Sequence, residues 1–353
     1  MRRKCAYTII DTTLRDGAQM PGVSLTLREK LRIVSALRDA GVSDIESGFA
    51  ACSLREQNDI RAIVKAFPSL NISVWARAKK SDILAAYETG ADTVHISFPA
   101  SVLHASIISM STSEVLKSLQ ELVPFAKRYF SSVTVGAQDA TRASELSLVD
   151  FMQRAADCGA ERIRIADTVG IGTPDSISEL ITRLKEKANG IGIEFHGHND
   201  FGLATANALA AIRAGAQAIS VTVNGVGERG GNAALEQVAA ALSLLYKKES
   251  TIRLEALPQL CITSAKAFRL KSQPHQPLVG NNAFTHESGI HCHGMLKDPL
   301  SYQPCKAAVI GRSEQYVIGK HSGTSTVHAY FMSCGINVSN KFASRVIDSV
   351  KSG

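Results

Sequence analysis

The sequence predicts an α/β fold, a (β/α)8 barrel carrying a small C-terminal α/β appendage. Three observations carry that expectation: eight short β-branched, apolar runs, amphipathic stretches of helical period between them, and an end to the alternation after about Lys248. The first three runs are YTIIDTTL from Tyr7, DIESGF from Asp44 and NISVWARA from Asn71. TVHISFP from Thr93, SVTVGAQ from Ser132 and RIRIAD from Arg162 follow, then GIEFHGH from Gly192 and AISVTVNGV from Ala218. Between the first two, TLREKLRIVSALRDAG opens with a capping box, Thr26 to Glu29, and stops at Gly41. TPDSISELITRLKEKANG carries Pro174 near its start and Gly190 past its end. Strands alternating with helices make a parallel sheet, right-handed crossovers close it, and eight units complete a barrel. No internal repeat or low-complexity tract interrupts the pattern.

Beyond Lys248, a helix-like LEALPQLCITSAKAFRL leads into a proline-containing linker, KSQPHQPLVGNN. The expected division is residues 1–255 for the barrel and 256–353 for linker and C-terminal subdomain. The last stretch, with FTHESGIHCHGMLK and GKHSGTSTVHAYF, is too short to bury a large core alone, so it is expected to pack on a neighbouring barrel.

Composition narrows the class. The 353 residues are 45% hydrophobic, mean hydropathy is +0.02, and no apolar run reaches the ~18 residues of a membrane span. The start, MRRKCAYTII, has no apolar core or cleavage site of a secretory leader. Seven scattered cysteines without a C-x-x-C pair suit free thiols in a reducing cytoplasm. The net charge of +7 is dispersed, with no basic block interleaved with aromatics, which argues against nucleic-acid binding. It is read as a mildly basic surface that also favours small anions.

Catalytic groups of parallel barrels gather at the carboxyl ends of strands. Asp16, Glu46, Arg77, Ser97, Gln138, Thr168, His198 and Asn232 all fall at or just past such ends in this reading. His196 and His198 are two apart on a strand, so both imidazoles point the same way. With Asp16 and Asn232 they form a mixed nitrogen and oxygen donor set for a divalent ion; Zn²⁺, Mn²⁺ and Mg²⁺ all suit it. Taken singly, an Asp after a strand is more often a helix cap, and HGH alone is a weak motif. Arg15 precedes Asp16, and beside a metal its guanidinium neutralises an alkoxide on a chelated substrate, whereas on the surface it is a weak ion pair. Glu46 is the natural partner to hold that arginine. Thr168 in ADTVG offers a hydroxyl either to a substrate carboxylate or to a turn. The glycines of GERGGN suit a close ligand approach or a tight turn equally.

DTTLRDG, HGHND and NGVGERGGNAALE resemble the DRE-TIM metallolyases, specifically the α-isopropylmalate and homocitrate synthase branch. The resemblance runs from about Tyr7 through GKHSG. LATANALAA, VWARA, RIRIADTVG and FTHESGIHCHGMLK look most like nitrogen-fixation-type homocitrate synthases. It implies a divalent metal on Asp16, His196, His198 and Asn232. It also implies a 2-oxo acid touching Arg15 and Thr168, with Arg77, Ser97 and Gln19 as further contacts, and acetyl-CoA as co-substrate. The same resemblance implies a homodimer whose C-terminal segment crosses over, delivering His291 as catalytic histidine with Tyr302 nearby. The reaction implied is a Claisen-type condensation followed by thioester hydrolysis.

The chain departs from that pattern in places. Gln138 stands where relatives carry a Glu that works in proton transfer, so the base is expected to be His291, water or another carboxylate; Asp139 is expected to face away. Ala18 replaces a common Glu, while Gln19 is retained. These losses point to an anionic acceptor, 2-oxoglutarate first, then oxaloacetate or phosphonopyruvate, with pyruvate and 2-oxoisovalerate as alternatives. A retro-aldol lyase on the same barrel is disfavoured, since NGVGERGGN lacks the cysteine of that loop. Gln138 also keeps open a non-catalytic relative that binds CoA or keto acids. His291 and His293 are read as one functional residue and a neighbour rather than a second metal site. His321 is read as structural or CoA-facing, and the direction of His95 stays open. The 32 residues after His321 leave no room for a leucine-sensing domain, so feedback through one is not expected.

Overall fold

A computed structural model describes residues 7–188, 190–271 and 273–352. The basic start at residues 1–6, Asn189 of the stretch ending in KANG, and Ser272 of the linker lie outside the described residues.

Eight parallel strands follow the eight apolar runs: β1 (Thr8–Asp11), β2 (Asp44–Glu46), β3 (Asn71–Arg77), β4 (Thr93–Pro99), β5 (Ser132–Gln138), β6 (Arg162–Asp167), β7 (Gly192–Gly197) and β8 (Ala218–Val221). They are bonded in chain order, and β8 pairs with β1 to close the barrel. Helices α1 (Leu27–Asp39), α2 (Leu54–Ala66), α3 (Lys80–Tyr87), α4 (Val102–Ile107) and α5 (Thr112–Ala126) serve its first half, and α6 (Glu145–Asp157), α7 (Pro174–Glu186), α8 (Ala204–Ala214) and α9 (Leu235–Leu244) its second. The capping box at Thr26 and Glu29 forms on α1, and Gly41 past its end has φ +88°. A side chain at Gly41 would also meet the Thr251 carbonyl oxygen, so only glycine fits there. Pro174 opens α7, where its missing N–H costs nothing.

The two faces of the barrel wall differ in chemistry. Parallel partners share a face, and the registers Val94 with Val133, Ile96 with Val135 and Ile165 with Phe195 give a fully buried aliphatic layer. Burying each such side chain contributes roughly 1.5–3 kcal/mol. The other face is charged. Arg164 on β6 donates to Glu46 on β2 at 2.6 Å, and those strands are four apart in a ring of eight. That bond is reachable only through the lumen, so Glu46 and Arg164 point inward, and alternation brings His95, Glu194 and His196 inward with them.

Thr263–Arg269 belongs to the barrel unit, which also comprises Met1–Ile252. Arg253–Ile262 and Leu270–Gly353 form the second unit. The single cut expected after residue 255 is therefore replaced by an interleaved one. The reason is local: Phe268 is buried, and Arg269 donates to Glu29 of α1 at 2.9 Å. Helix α10 (Leu257–Ala267) thus contributes to both units. The second unit contains the short parallel pair β9 (Thr285–His286) and β10 (Gln315–Tyr316), with α11 (Gly289–Lys297), α12 (Thr324–Ser333) and α13 (Asn340–Ser352). Val327, Ala343 and Ile347 form a small core there. Among the described residues no helix is long and apolar enough to cross a membrane.

At the end of β1, Asp11 accepts the Thr13 amide at 3.1 Å and the Thr13 hydroxyl at 2.7 Å, which turns TTL out of the strand. Burial pushes the Asp11 carboxyl up to about 7, against the pull of the Thr13 donors. The folded state therefore binds this proton more tightly than the unfolded chain, and the associated stability is lost as pH rises from about 4 through about 7. Urea unfolding of wild type and Asp11→Asn across that range should show wild type losing a few kcal/mol relative to the variant. Parallel curves would overturn this assignment.

Candidate metal centre and active site

Successive amides of Arg15 and Asp16 bend back to the Thr12 carbonyl at 3.1 and 2.9 Å, so both side chains project from one tight turn after β1. His196 lies on the lumen face of β7, and His198 stands one residue beyond the strand. His196 Nε2 lies 2.8 Å from Asp16 Oδ2, and His198 Nε2 lies 3.8 Å from it. Asn232 reaches the same region along the backbone, paired with His198 by an isolated antiparallel bridge. Its loop is shaped by glycine: a Cβ on Gly227, at φ +159°, would overlap the Asn232 amide nitrogen.

Several polar atoms here are buried without partners. Asn232 Oδ1 and the Nδ1 atoms of His196 and His198 make no hydrogen bond, Asp16 Oδ2 faces His196 Nε2 at 2.8 Å, and Asn232 Nδ2 donates to the Val226 carbonyl at 3.0 Å. Buried polar atoms normally find partners, and buried imidazoles gathered around a carboxylate are what a cation site requires. Donor atoms of Asp16, His196 and His198 lie within 4.8 Å of one another, the only such cluster among the described residues. Protonation favours the same reading. Burial, with the neighbouring His196 charge, lowers His198 to about 4, which favours the neutral form that a metal ligand needs. Burial alone would raise Asp16, but the Arg15 charge and His196 hold it well below the usual carboxylate range. These residues fit a divalent ion, with Asn232 as an oxygen donor beside them.

Arg15 is aimed by its neighbours. Its Nε donates to Glu46 at 2.5 Å and its Nη1 lies 3.3 Å from Asp16 Oδ2. Glu46 is fully buried yet held ionised, because the charges of Arg15 and Arg164 override desolvation. His95 is buried in the lumen with Nδ1 2.9 Å from Thr134 Oγ1, and burial together with Arg164 holds it well below its usual value. That answers the open question of its direction. The sequence reading did not single out Arg164 or Glu194. Their signal was present, since charged residues alternate in RIRIAD and Glu194 shares the phase of His196.

The other expected contacts lie in varied surroundings. Arg77 ends β3 half-exposed, and Asp82 takes its guanidinium at 2.7 and 3.1 Å, a rim ion pair stacked on Phe49. Ser97 is buried inside β4 rather than at its end, and Gln19 is exposed. Gln138 ends β5 half-buried, in phase with the lumen-facing positions. Thr168 Oγ1 accepts the Asp139 amide at 2.8 Å, so its oxygen serves a turn, with the hydroxyl proton free to donate elsewhere. Asp139 adopts a left-handed φ of +59° and is engaged by Ser101 at 2.5 Å and Arg142 at 2.7 Å. In the second unit, His291 stacks on Tyr302 with ring centroids 4.2 Å apart. His293 pairs with Ser325 instead, so the two histidines of HCH have separate partners.

Residues 6–261 match the HMGL-like family, and residues 278–353 match the homocitrate synthase post-HMGL domain-like family. A putative (R)-citramalate synthase of Methanopyrus kandleri is 40% identical over 97% of this chain and 68% of its own length. The 2-isopropylmalate synthase of Methanocaldococcus jannaschii is 41% identical over 94% of the chain and 64% of its length. A probable 2-isopropylmalate synthase of Ignicoccus hospitalis is 40% identical over 97% and 86% respectively. Among solved structures, the hydroxymethylglutaryl-CoA lyase of Pseudomonas aeruginosa superposes with a TM-score of 0.67 at 20% identity, covering 75% of this chain and 94% of the lyase. That likeness is one of fold.

Replacing Asp16 or His196 by Ala should leave a folded barrel by circular dichroism but reduce bound metal, measured by elemental analysis after dialysis, from about one ion per chain to near none. Unchanged metal content in both variants would reject the centre.

Proposed function

The chain belongs to the HMGL-like family, in the branch that carries the post-HMGL domain, and on that premise we propose that it condenses acetyl-CoA with a 2-oxo acid and hydrolyses the resulting thioester. Two carbons are added at the keto carbon, one water is consumed, and free CoA and a tertiary-alcohol diacid leave. The observation that carries this reading is the convergence of Asp16, His196 and His198 beside an arginine fixed by Glu46. A bound divalent ion supplies Lewis-acid polarisation of a keto group there. Arg15 places a second positive charge beside Asp16, where it stabilises negative charge developing on the keto oxygen. Neutral His198 and ionised Asp16 keep the donor set in its ligating form.

The proton of the acetyl methyl needs a base. Gln138 accepts none, and Asp139 is committed to Ser101 and Arg142. We assign the role to His291, stacked on Tyr302, delivered from the second subunit of a homodimer. The free thiols at the described cysteines suit a cytoplasmic enzyme.

For the acceptor we favour a 2-oxo acid with a small uncharged tail. Relatives are named for citramalate and isopropylmalate, the products expected from pyruvate and 2-oxoisovalerate by carbon balance. A distal carboxylate also needs a cation, and Arg15, Arg77 and Arg229 are already paired with Glu46, Asp82 and Asp200 at 2.5, 2.7 and 2.8 Å. Two observations favour 2-oxoglutarate instead: the homocitrate synthase-like second unit, and the loss of negative charge at Gln138. Oxaloacetate and phosphonopyruvate share that logic.

Thiol release from acetyl-CoA by protein loaded with Zn²⁺, Mn²⁺ or Mg²⁺ decides among them. Pyruvate or 2-oxoisovalerate should give the highest kcat/KM; a clear win for 2-oxoglutarate would reverse the acceptor assignment, and no release with any of the five acids would reject condensation. Gln138→Glu should lower kcat by about tenfold or more. Turnover appearing only in that variant would favour the non-catalytic reading.

A further inference from the structure

The ion chain in the lumen continues past the residues that the proposed reaction uses. Arg164 straddles two carboxylates: Nη2 and Nη1 donate to Glu46 at 2.6 and 3.2 Å, and Nε donates to Glu194 at 2.6 Å. Both oxygens of Glu194 are engaged. Its Oε1 also accepts the Ser220 hydroxyl at 2.5 Å, and its Oε2 accepts Arg162 Nε at 2.8 Å. Glu46, Arg164 and Glu194 are all buried. We propose that Arg164, anchored by Glu194, is a positioning residue that sets the aim of Arg15 toward the Asp16 site by fixing the plane of the Glu46 carboxylate.

Two physical arguments carry this. First, Glu46 Oε1 receives both Arg15 and the weaker arm of Arg164, while Oε2 receives only the stronger arm. With Oε2 pinned from across the barrel, Arg15 has one oxygen to bind, and its Nη1 is left to lie 3.3 Å from Asp16. Without Arg164, both oxygens open to Arg15, whose fork then pairs with the carboxylate through two nitrogens and turns away from Asp16. Second, a buried ionic lumen is a poor way to gain stability, since a well-packed apolar layer of equal volume does as well or better. Its presence here is accounted for by the directional constraint that a planar fork bridging two carboxylates supplies.

This inference rests on the condensation reading and is tested separately from it. Arg164→Lys keeps the charge but lacks the planar fork that grips both Glu46 oxygens and Glu194 at once, and Glu194→Gln keeps the shape and leaves Arg164 charged. Both variants should hold wild-type metal content. Arg164→Lys should lose about tenfold or more in kcat, with KM for acetyl-CoA within about twofold, because misaiming a group near the reacting atoms costs rate before binding. Glu194→Gln should fall between it and wild type. A crystal structure of Arg164→Lys should have Arg15 swung onto both Glu46 oxygens, away from Asp16. Wild-type kcat in metal-loaded Arg164→Lys, or kcat and KM moving only with the folded fraction, would overturn the proposal. If wild type releases no thiol with any 2-oxo acid, condensation fails by itself; Arg15 unmoved in the variant crystal would still reject positioning, and Arg15 displaced would support it.

Discussion

A glutamate clasped by two guanidiniums in the middle of a protein is the constraint from which the rest of the barrel unit follows. Glu46 is fully buried and ionised, so it must be paired, and its partners come from β6 and from the turn after β1. Pairing with β6 fixes which face of every strand looks inward. Pairing with the turn fixes Arg15, and with it Asp16, the next residue. The candidate metal donors gather where they do because the same inward phase on β7 carries Glu194 and His196. One carboxylate therefore connects the deep lumen to the candidate centre at its mouth.

The apolar layer and the ionic layer divide the work between stability and geometry. Val94, Ile96, Val135, Ile165 and Phe195 are fully buried on the helix side and supply the hydrophobic driving force. The lumen side adds little net stability once desolvation is counted, yet it holds side chains to single orientations. A candidate site that sets a cation's donors beside a positive guanidinium benefits from that rigidity. The glycine loop after β8 does the same by backbone means, bringing Asn232 up to His198 where any larger residue at position 227 would block it.

Much of this was legible in the sequence. Eight runs read as strands because period-two burial leaves an unmistakable trace of Val, Ile and Ala, and the Thr26 capping box and Pro174 marked helix starts that formed as expected. Asp16, His196 and His198 were legible because HGH spacing is a statement about direction. The lumen chain was not read, although RIRIAD contains it, because a charged residue in a strand is ambiguous until its partner four strands away is known. Arg77 stands at its strand end as expected, but its pairing with Asp82 five residues later went unread for a related reason. Thr168 and Asp139 form a turn whose left-handed residue no spacing rule announces. The acceptor is hardest of all, since it depends on side chains that contribute space rather than charge.

The bond from β2 to β6 also bears on how such a chain reaches its native state. Its members are 118 residues apart, and the ring is sealed by β1 and β8, about as far apart as the barrel allows. Half a barrel has the aliphatic layer in place but leaves Glu46 stranded from Arg164, with a bare charge where water is being expelled. Neutralising the interior therefore depends on a contact of long sequence separation, a kind of contact that slows folding. The site at the mouth of the barrel thus owes its shape to a link between the second and sixth strands that no local segment can make by itself.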